Sequence, residues 1–276
     1  MTADYRAQTV LVTGASSGIG AAYAKALAAR GSNLVLVARR AERLTSMADE
    51  LRRTHNVRVE AISFDLSHPE VGNELRKAVA DRGVEVTSLI NNAAFGTFAP
   101  FADEDPGRLA AEIAVDVTAP VEITAAFLPQ MVHAGNGFII TMAGVTAYFP
   151  SPRMAVYSAA KAFVLSFTES LWAEMRGTGL TVFAVCPGAT ATEFTTGMGP
   201  AASVLTSGKT RTPEDVVATA LAHLERRNPG PTVIDGRSNQ LGVLMSRLMS
   251  RSASAKMMER VLNPDRAADE TSRTSS

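Results

Sequence analysis

A glycine-rich turn follows the first apolar run of the chain and strongly constrains the fold. The run occupies residues 10–12, and residues 13–20 then read Thr-Gly-Ala-Ser-Ser-Gly-Ile-Gly. Glycines let a strand turn sharply into a helix and let the backbone approach a ligand closely. Apolar periodicity over residues 19–30 predicts the helix, whose first N–H groups and positive dipole end favour an anion. The sequence therefore predicts a strand-turn-helix unit of the kind that binds a pyrophosphate.

Short apolar runs alternate with longer segments of helical periodicity along the chain. The predicted strands are residues 9–13, 33–38, 57–64, 88–91, 137–142, 180–186 and 232–234. Parallel neighbours need crossover helices, which bury the sheet on both sides. We therefore expect an α/β fold, a single-domain Rossmann-like doubly wound parallel sheet with helices on both faces, over residues 1–262. Residues 263–276 are too polar to pack and are expected to be a disordered tail.

Composition excludes several classes of function. The chain has 27 basic and 27 acidic residues and no block of like charge, which argues against binding to nucleic acid or an anionic membrane. No apolar run reaches the roughly 18 to 20 residues that span a bilayer. The single cysteine, Cys186, ends an apolar run and is expected to pack in the core. With no secretory segment at the polar start, we expect a cytoplasmic protein that acts on a small molecule and has no metal site.

Five motifs occur in an order that resembles the short-chain dehydrogenase/reductase family, from residue 9 to about residue 192. After the glycine turn come Asp65-Leu66, Asn91-Asn92-Ala93, Tyr157 with Lys161, and the segment 187–192. The resemblance implies an oxidoreductase that uses a nicotinamide dinucleotide. It also implies a homodimer or homotetramer built through long helices that correspond to residues 103–133 and 154–178.

The resemblance further implies which residues bind the cofactor. Asp65 and Leu66 would hold the adenine, and Asn92 and Ala93 would border its ribose. The segment 187–192 would contact the nicotinamide amide, while Asn91 has a structural alternative. The implied cofactor residues are Gly14, Ser16, Ser17, Gly18, Ile19, Gly20, Asp65, Leu66, Asn92, Ala93, Tyr157, Lys161, Pro187, Gly188, Thr190 and Thr192.

The end of the second predicted strand indicates which dinucleotide is preferred. Sites for NAD usually carry an acid there, which accepts hydrogen bonds from the ribose hydroxyls. Ala38 stands at that position and is followed by Arg39 and Arg40. A guanidinium offers a planar, permanently charged donor to a 2′-phosphate, and Ser17 and Arg40 can add donors. The cofactor is therefore predicted to be NADP.

Tyr157 and Lys161 are the predicted catalytic pair. Residues four apart share one face of a helix, so both side chains can point into the same crevice. A nearby lysine cation lowers the pKa of a phenol and makes it a usable general acid. By the resemblance, Tyr157 protonates the acceptor oxygen and Lys161 also holds the nicotinamide ribose.

Two positions depart from the family pattern. The serine expected 13 residues before Tyr157 is Gly144, and Asp116 stands in the segment that would carry the relay asparagine. Either Thr141 or Thr146 replaces the serine hydroxyl, or the acceptor is an imine or an activated C=C bond that needs no such donor. A third reading is a weakly catalytic, NADP-binding regulatory protein.

The leading prediction is an NADPH-dependent oxidoreductase that transfers hydride to an apolar ketone, aldehyde or related acceptor. Residues 193–213 form either a lid over the acceptor or a plain connection. Residues 239–262 are expected to be helical with a packed apolar face, the alternatives being a cover over the substrate pocket, a contact with a partner subunit or a contact with a membrane surface. Residues in loops after strand ends are predicted to form an apolar pocket. These residues are Phe95, Phe98, Phe101, Tyr148, Phe149, Phe194 and Met198.

Overall fold

The computed structural model describes residues 4–206 and 210–263 and contains a sheet of seven parallel strands. The strands lie in the order β3-β2-β1-β4-β5-β6-β7, and each neighbouring pair is parallel. The predicted doubly wound α/β fold is confirmed. The strands are β1 (Thr9–Thr13), β2 (Asn33–Ala38), β3 (Val59–Ser63), β4 (Ser88–Asn91), β5 (Gly137–Met142), β6 (Leu180–Cys186) and β7 (Thr232–Ile234).

Nine α-helices occur in the described part of the chain. They are α1 (Gly18–Ala28), α2 (Ala41–His55), α3 (Val71–Ala80), α4 (Pro106–Ile113), α5 (Ala119–Ala134), α6 (Ala155–Glu174), α7 (Pro213–Leu224), α8 (Arg237–Ser246) and α9 (Arg251–Val261). None of the helices in the described residues is both long enough and apolar enough to cross a membrane.

The sheet is covered on both faces because alternate side chains of each strand point to opposite sides. On β1, Val10 and Val12 pack with α1, α2 and α7, whereas Leu11 packs with α3 and α5 on the other face. Strand β1 lies between β2 and β4, so the direction of winding reverses beside it. In open parallel sheets a ligand crevice forms at the carboxyl ends of the strands at such a reversal.

The first long helix differs from its predicted bounds of 103–133. It begins at Pro106, where the Asp105 side chain accepts the N–H of Arg108 and caps the helix. A π-helical turn over Ala114–Thr118 joins α4 to α5 and carries the buried Asp116. Such turns are frequent at functional sites because the extra residue shifts the side chains that follow. The second long helix is shorter than expected and ends at Glu174, as α6.

The prediction of a packed apolar face over residues 239–262 is wrong for most of that stretch. Helix α8 ends at Ser246, and the chain turns before α9, so the apolar stripe does not follow one continuous helix. Val243 and Leu262 are buried. The exposed side chains of the stripe are Leu241, Leu244, Met245, Leu248 and Val261. The predicted disordered tail lies outside the described residues apart from residue 263.

Candidate active site

The glycine turn between β1 and α1 has a backbone that side chains would obstruct. Gly14 and Gly18 have φ of +65° and +54°, which L residues rarely adopt. A Cβ atom on Gly14 would lie 2.9 Å from the Asn92 side chain, and one on Gly20 would collide with the Gly14 carbonyl oxygen. The glycines therefore allow a tight turn that brings the start of α1 against the end of β1.

The ends of β1 and β4 are tied together by Thr13 and Asn92. The Thr13 hydroxyl oxygen accepts the backbone N–H groups of Asn92 at 2.9 Å and Ala93 at 3.0 Å. The Asn92 side chain donates to the Thr13 carbonyl at 2.9 Å. Asn91 instead donates to the Thr124 hydroxyl inside the core, which fits its structural alternative. These bonds fix the glycine turn against the neighbouring strand end.

A cavity of about 660 Å³ opens above these strand ends. The predicted site residues that line it are Gly14, Ser16, Ser17, Gly18, Ile19, Arg39, Arg40, Asp65, Leu66, Asn92, Ala93, Gly144, Tyr157, Lys161, Pro187, Gly188, Thr190 and Thr192. Two predicted site residues do not line it. Gly20 packs under the turn, and Asp116 is buried behind Lys161.

One corner of the cavity is basic and rich in hydrogen-bond donors. The Arg40 guanidinium donates to the Ser16 hydroxyl at 3.0 Å and to the Ser17 hydroxyl at 2.6 Å. It also pairs with the Glu193 carboxylate at 2.7 Å, and Arg43 pairs with the same carboxylate at 2.9 Å. These hydrogen bonds hold the pKa of the Glu193 carboxyl below its usual range. The sequence did not single out Glu193 or Arg43 as site residues, because both contacts join residues about 150 positions apart in the chain.

Asp65, which is predicted to contact the adenine, is held in place by hydrogen bonds from Ser67. The Asp65 carboxylate accepts the Ser67 backbone N–H at 3.0 Å and the Ser67 hydroxyl at 2.8 Å. These bonds lower the pKa of the carboxyl, and the Arg39 charge adds to the effect. Asp65 is therefore held as a carboxylate on the cavity wall.

Tyr157 and Lys161 both face the cavity from the first turns of α6. The Lys161 ammonium lies 5.3 Å from the centre of the Tyr157 ring and 3.3 Å from the Met142 carbonyl oxygen at the end of β5. On its buried side the ammonium forms an ion pair with Asp116 at 3.1 Å. The other oxygen of Asp116 accepts the backbone N–H of Phe95 at 3.0 Å. The helix thus presents a phenol and an ammonium together, with a carboxylate behind them.

The expectation that Lys161 lowers the pKa of the Tyr157 phenol is wrong for the protein alone. Burial raises this pKa, and the negative charges of Asp116 and Glu112 raise it further. The physical reason is that the ammonium is paired with Asp116, so little of its charge remains to stabilise a phenolate. At neutral pH Tyr157 is therefore a protonated phenol, the form that a general acid requires.

The position of the missing serine is next to another hydroxyl. A Cβ atom on Gly144 would lie 3.2 Å from the Thr146 hydroxyl oxygen, and Thr146 lines the cavity. Thr141 is 2% exposed within β5, and it does not line this cavity. Of the two threonines considered from the sequence, only Thr146 is placed where a bound acceptor could meet its hydroxyl.

The far end of the cavity is apolar, but only part of the predicted aromatic set forms it. Phe95 and Phe194 line it, and the Phe194 ring centre lies 5.3 Å from that of Tyr157. Phe98 and Met198 are buried in the packing behind this wall, whereas Phe101 is 66% exposed. Tyr148 and Phe149 do not line the cavity. Other apolar residues that line the cavity include Val145, Met154 and Leu205, together with Met258 and Leu262 from the stretch that had a cover over the substrate pocket as one of its alternatives.

Cys186 is completely buried at the end of β6, as expected for a packed core residue. Burial raises the pKa of its thiol to about 11, so the side chain is a neutral thiol at physiological pH. Among the described residues, no group of three or more histidine, cysteine, aspartate or glutamate side chains could hold a metal ion.

Comparison with known proteins places this architecture in a family. Residues 8–202 match the short chain dehydrogenase family. A short chain dehydrogenase from Pseudocercospora fijiensis is 34% identical over 189 residues, which cover 68% of this chain. The match spans 61% of that relative's own length.

Two solved structures resemble the chain over most of its length. One, described in work on the stereoselectivity of 7beta-hydroxysteroid dehydrogenase, has a TM-score of 0.82 at 26% identity and covers 94% of this chain and 99% of its own. The other is a short-chain dehydrogenase from Sphingobium yanoikuyae in complex with NADPH. It has a TM-score of 0.75 at 34% identity and covers 87% of this chain and 93% of its own.

Proposed function

Because the chain belongs to the short chain dehydrogenase family, we propose that it is an NADPH-dependent oxidoreductase that reduces an apolar ketone, aldehyde or related acceptor. One observation carries this proposal. A single cavity joins a basic corner at Arg40 to an apolar end at Phe194, and Tyr157 and Lys161 lie on its wall. A dinucleotide and an apolar acceptor can therefore meet beside a protonated phenol.

The basic corner supports NADP as the cofactor. Ala38, at the end of β2, offers no carboxylate to the ribose, while Arg39 and Arg40 offer guanidinium groups and Ser17 a hydroxyl. A 2′-phosphate is a dianion that such donors hold by charge-assisted hydrogen bonds. The NADPH complex of the Sphingobium relative is consistent with this assignment. The glycine turn fits the pyrophosphate, because it places the start of α1, whose first N–H groups and positive dipole end favour an anion, on the cavity wall.

The proposed chemistry uses four side chains. Bound NADPH would supply the hydride. The Thr146 hydroxyl donates a hydrogen bond to the acceptor oxygen and stabilises the negative charge that develops there. Tyr157 donates its phenolic proton to the same oxygen, and Lys161 holds the phenol and the ribose in position. Asp116 fixes the direction of the ammonium through the ion pair at 3.1 Å.

Exposed apolar side chains support self-association. Ile113 on α4 is 46% exposed and Phe163 on α6 is 45% exposed, and these two helices pack against each other. A dimer through this face would bury both side chains. Light scattering of the purified protein would measure the mass, and replacement of Phe163 by aspartate should shift it toward the monomer.

The proposed function is tested by the rate of NADPH oxidation, followed through its absorbance, with a panel of acceptors. The panel contains an aromatic aldehyde, small and bulky ketones including a steroid ketone, a cyclic imine and an enone. We expect turnover with ketones or aldehydes, and more with bulky apolar ones. Turnover restricted to the imine or the enone would contradict the carbonyl assignment. Tight NADPH binding with no turnover on any acceptor would instead favour a regulatory protein.

A further inference from the structure

Glu112 is a fully buried carboxyl group near the end of α4, close to the site but not on the cavity wall. It is 0% exposed, and neither of its oxygens has a hydrogen-bond partner of good geometry among the described residues. A buried ionised carboxylate is strongly disfavoured unless it is paired or well hydrogen-bonded. Glu112 therefore needs either a cation or a proton.

Among the described residues, no cation is left to pair with Glu112. The acidic groups that act on it are Asp116, in the π-helical turn, and Glu104, in the loop before α4. The ammonium of Lys161, on α6, is already paired with Asp116 at 3.1 Å. Burial raises the pKa of the Asp116 carboxyl as well, but the Lys161 charge and the Phe95 N–H oppose that rise. Glu112 has no cation of this kind beside it among the described residues, and only Thr97 opposes the rise of its pKa. When carboxyl groups compete for one cation, the group with the fewest donors keeps its proton.

The pKa of Glu112 agrees with this charge count. Burial raises this pKa to about 7, and the negative charges of Asp116 and Glu104 raise it as well. Hydrogen bonding by Thr97 lowers it. Below this pH the carboxyl is neutral, and the cluster holds one carboxylate, Asp116, against the ammonium. Above it, a second buried negative charge appears.

Glu112 reaches the phenol through the loop that follows β4. A Cβ atom on Gly96 would lie 3.0 Å from the Tyr157 ring, so this loop packs directly on the phenol, and Thr97 is the loop's contact with Glu112. Helix α4 also packs against α6. A negative charge on Glu112 raises the pKa of the Tyr157 phenol and so makes it a weaker acid.

We propose that Glu112 is a positioning residue of this site, which keeps one proton in the buried acidic cluster and thereby preserves Tyr157 as a proton donor. Its kinetic consequence rests on the proposed function, because it concerns the proton that Tyr157 gives to the acceptor. The protonation of Glu112 itself does not depend on that function. The two parts are therefore tested separately.

The first test observes the carboxyl directly. The full chain is prepared with isotope-labelled glutamate carboxyl groups, and their NMR resonances are followed from about pH 5 to pH 9. We expect one resonance, absent from Glu112→Gln, to titrate near neutrality rather than near the usual value of about 4.3. Glu122→Gln is the control, since Glu122 lies on α5 and contacts Gly72. A Glu112 resonance that titrates in the ordinary range overturns the proposal.

The second test compares pH profiles of kcat/KM with NADPH and the most rapidly reduced ketone of the acceptor panel. The unmodified protein and Glu122→Gln should lose about threefold in rate between pH 6 and pH 8.5, as expected if the phenol pKa rises by a fraction of a unit. In Glu112→Gln this fall in kcat/KM should be absent. An equal fall in all three proteins would overturn the proposal, because a merely structural glutamate would affect stability and not the pH profile. Failure to oxidise NADPH, together with a Glu112 resonance that titrates near neutrality, would contradict the proposed function alone.

Discussion

The Lys161 ammonium lies 3.1 Å from the Asp116 carboxylate, and the two side chains are 4% and 0% exposed. Removal of one partner from a buried ion pair leaves an uncompensated charge and costs about 3 to 5 kcal/mol. Asp116→Leu should therefore lower the free energy of unfolding by about that amount, measured by urea denaturation. Asp116→Asn should cost less, because the amide oxygen can still accept the Phe95 N–H. Asp49→Asn breaks only an exposed pair with Arg52 and should cost less than about 1 kcal/mol.

Tyr157→Phe should abolish reduction while NADPH binding stays within a few fold of normal. The phenylalanine ring keeps the packing with Phe194, but it has no proton to donate. Tyr148→Phe serves as the matched control, because Tyr148 contacts Cys186 and does not line the cavity. Activity would be measured by NADPH oxidation and binding by fluorescence titration. Near-normal turnover in Tyr157→Phe would mean that another residue is the acid.

Thr146→Val should reduce kcat/KM for a ketone by about a hundredfold, the typical effect of losing one donor to a developing oxyanion. Thr141→Val should have little effect, because Thr141 does not line the cavity. Gly144→Ser should not raise the rate, since Gly144 has φ of +156° and a side chain there would crowd the Thr146 hydroxyl at 3.2 Å. An unchanged rate in Thr146→Val would remove the threonine from the mechanism.

Arg39→Asp should weaken NADPH binding at least about tenfold more than NADH binding, because a charge-assisted bond to the 2′-phosphate is lost and a repulsion is gained. Glu193→Gln should act in the opposite direction. It removes a carboxylate that occupies Arg40 at 2.7 Å, and we expect NADPH, but not NADH, to bind a few fold more tightly. Calorimetric titration with both cofactors measures these changes. Equal effects on the two cofactors would contradict the NADP assignment.

The stability of the fold should fall as the pH drops below about 6.5, the ordinary pKa of histidine. Burial lowers the pKa of His223, which lies 4.8 Å from Phe183 and has Nε2 2.9 Å from the Gly230 carbonyl oxygen. Because the unfolded chain takes up this proton more readily, stability is complete above the unfolded pKa and is lost as the pH falls toward the lower folded pKa. His223→Gln keeps a donor for Gly230 and should reduce this dependence. Urea denaturation at pH 7.5 and pH 5.5 provides the comparison.

The sequence predicted the sheet well because strands that are buried on both faces are apolar at nearly every position. Each strand is a short apolar run, and the glycine turn follows β1 where the structure has it. The predicted cofactor residues follow strand ends or lie on the helix of Tyr157, and nearly all line one cavity. These positions could be predicted because each is set by a nearby strand end or helix, and periodicity and motif spacing locate both.

Contacts between distant segments were not predictable in the same way. Glu193 meets Arg40 across 153 positions, and Glu112 is buried because α4 packs against α6. The apolar stripe of α8 was expected in the core. Periodicity shows which side of a helix is apolar, but it does not show which part of the protein that side contacts. The pKa of Tyr157 was misjudged for a related reason. The sequence places Lys161 near the phenol, but only the fold reveals that Asp116 already holds its charge.

The cavity takes its two ends from different parts of the chain. Its basic corner lies within residues 8–202, the segment shared with the family, whereas Leu205, Met258 and Leu262 come from the chain beyond it. The dinucleotide end and part of the acceptor end can therefore diverge independently. Exchange of residues 237–262 between relatives would alter which acceptors fit while leaving the Arg40 corner intact. We therefore expect the last two helices to affect acceptor preference more than cofactor preference.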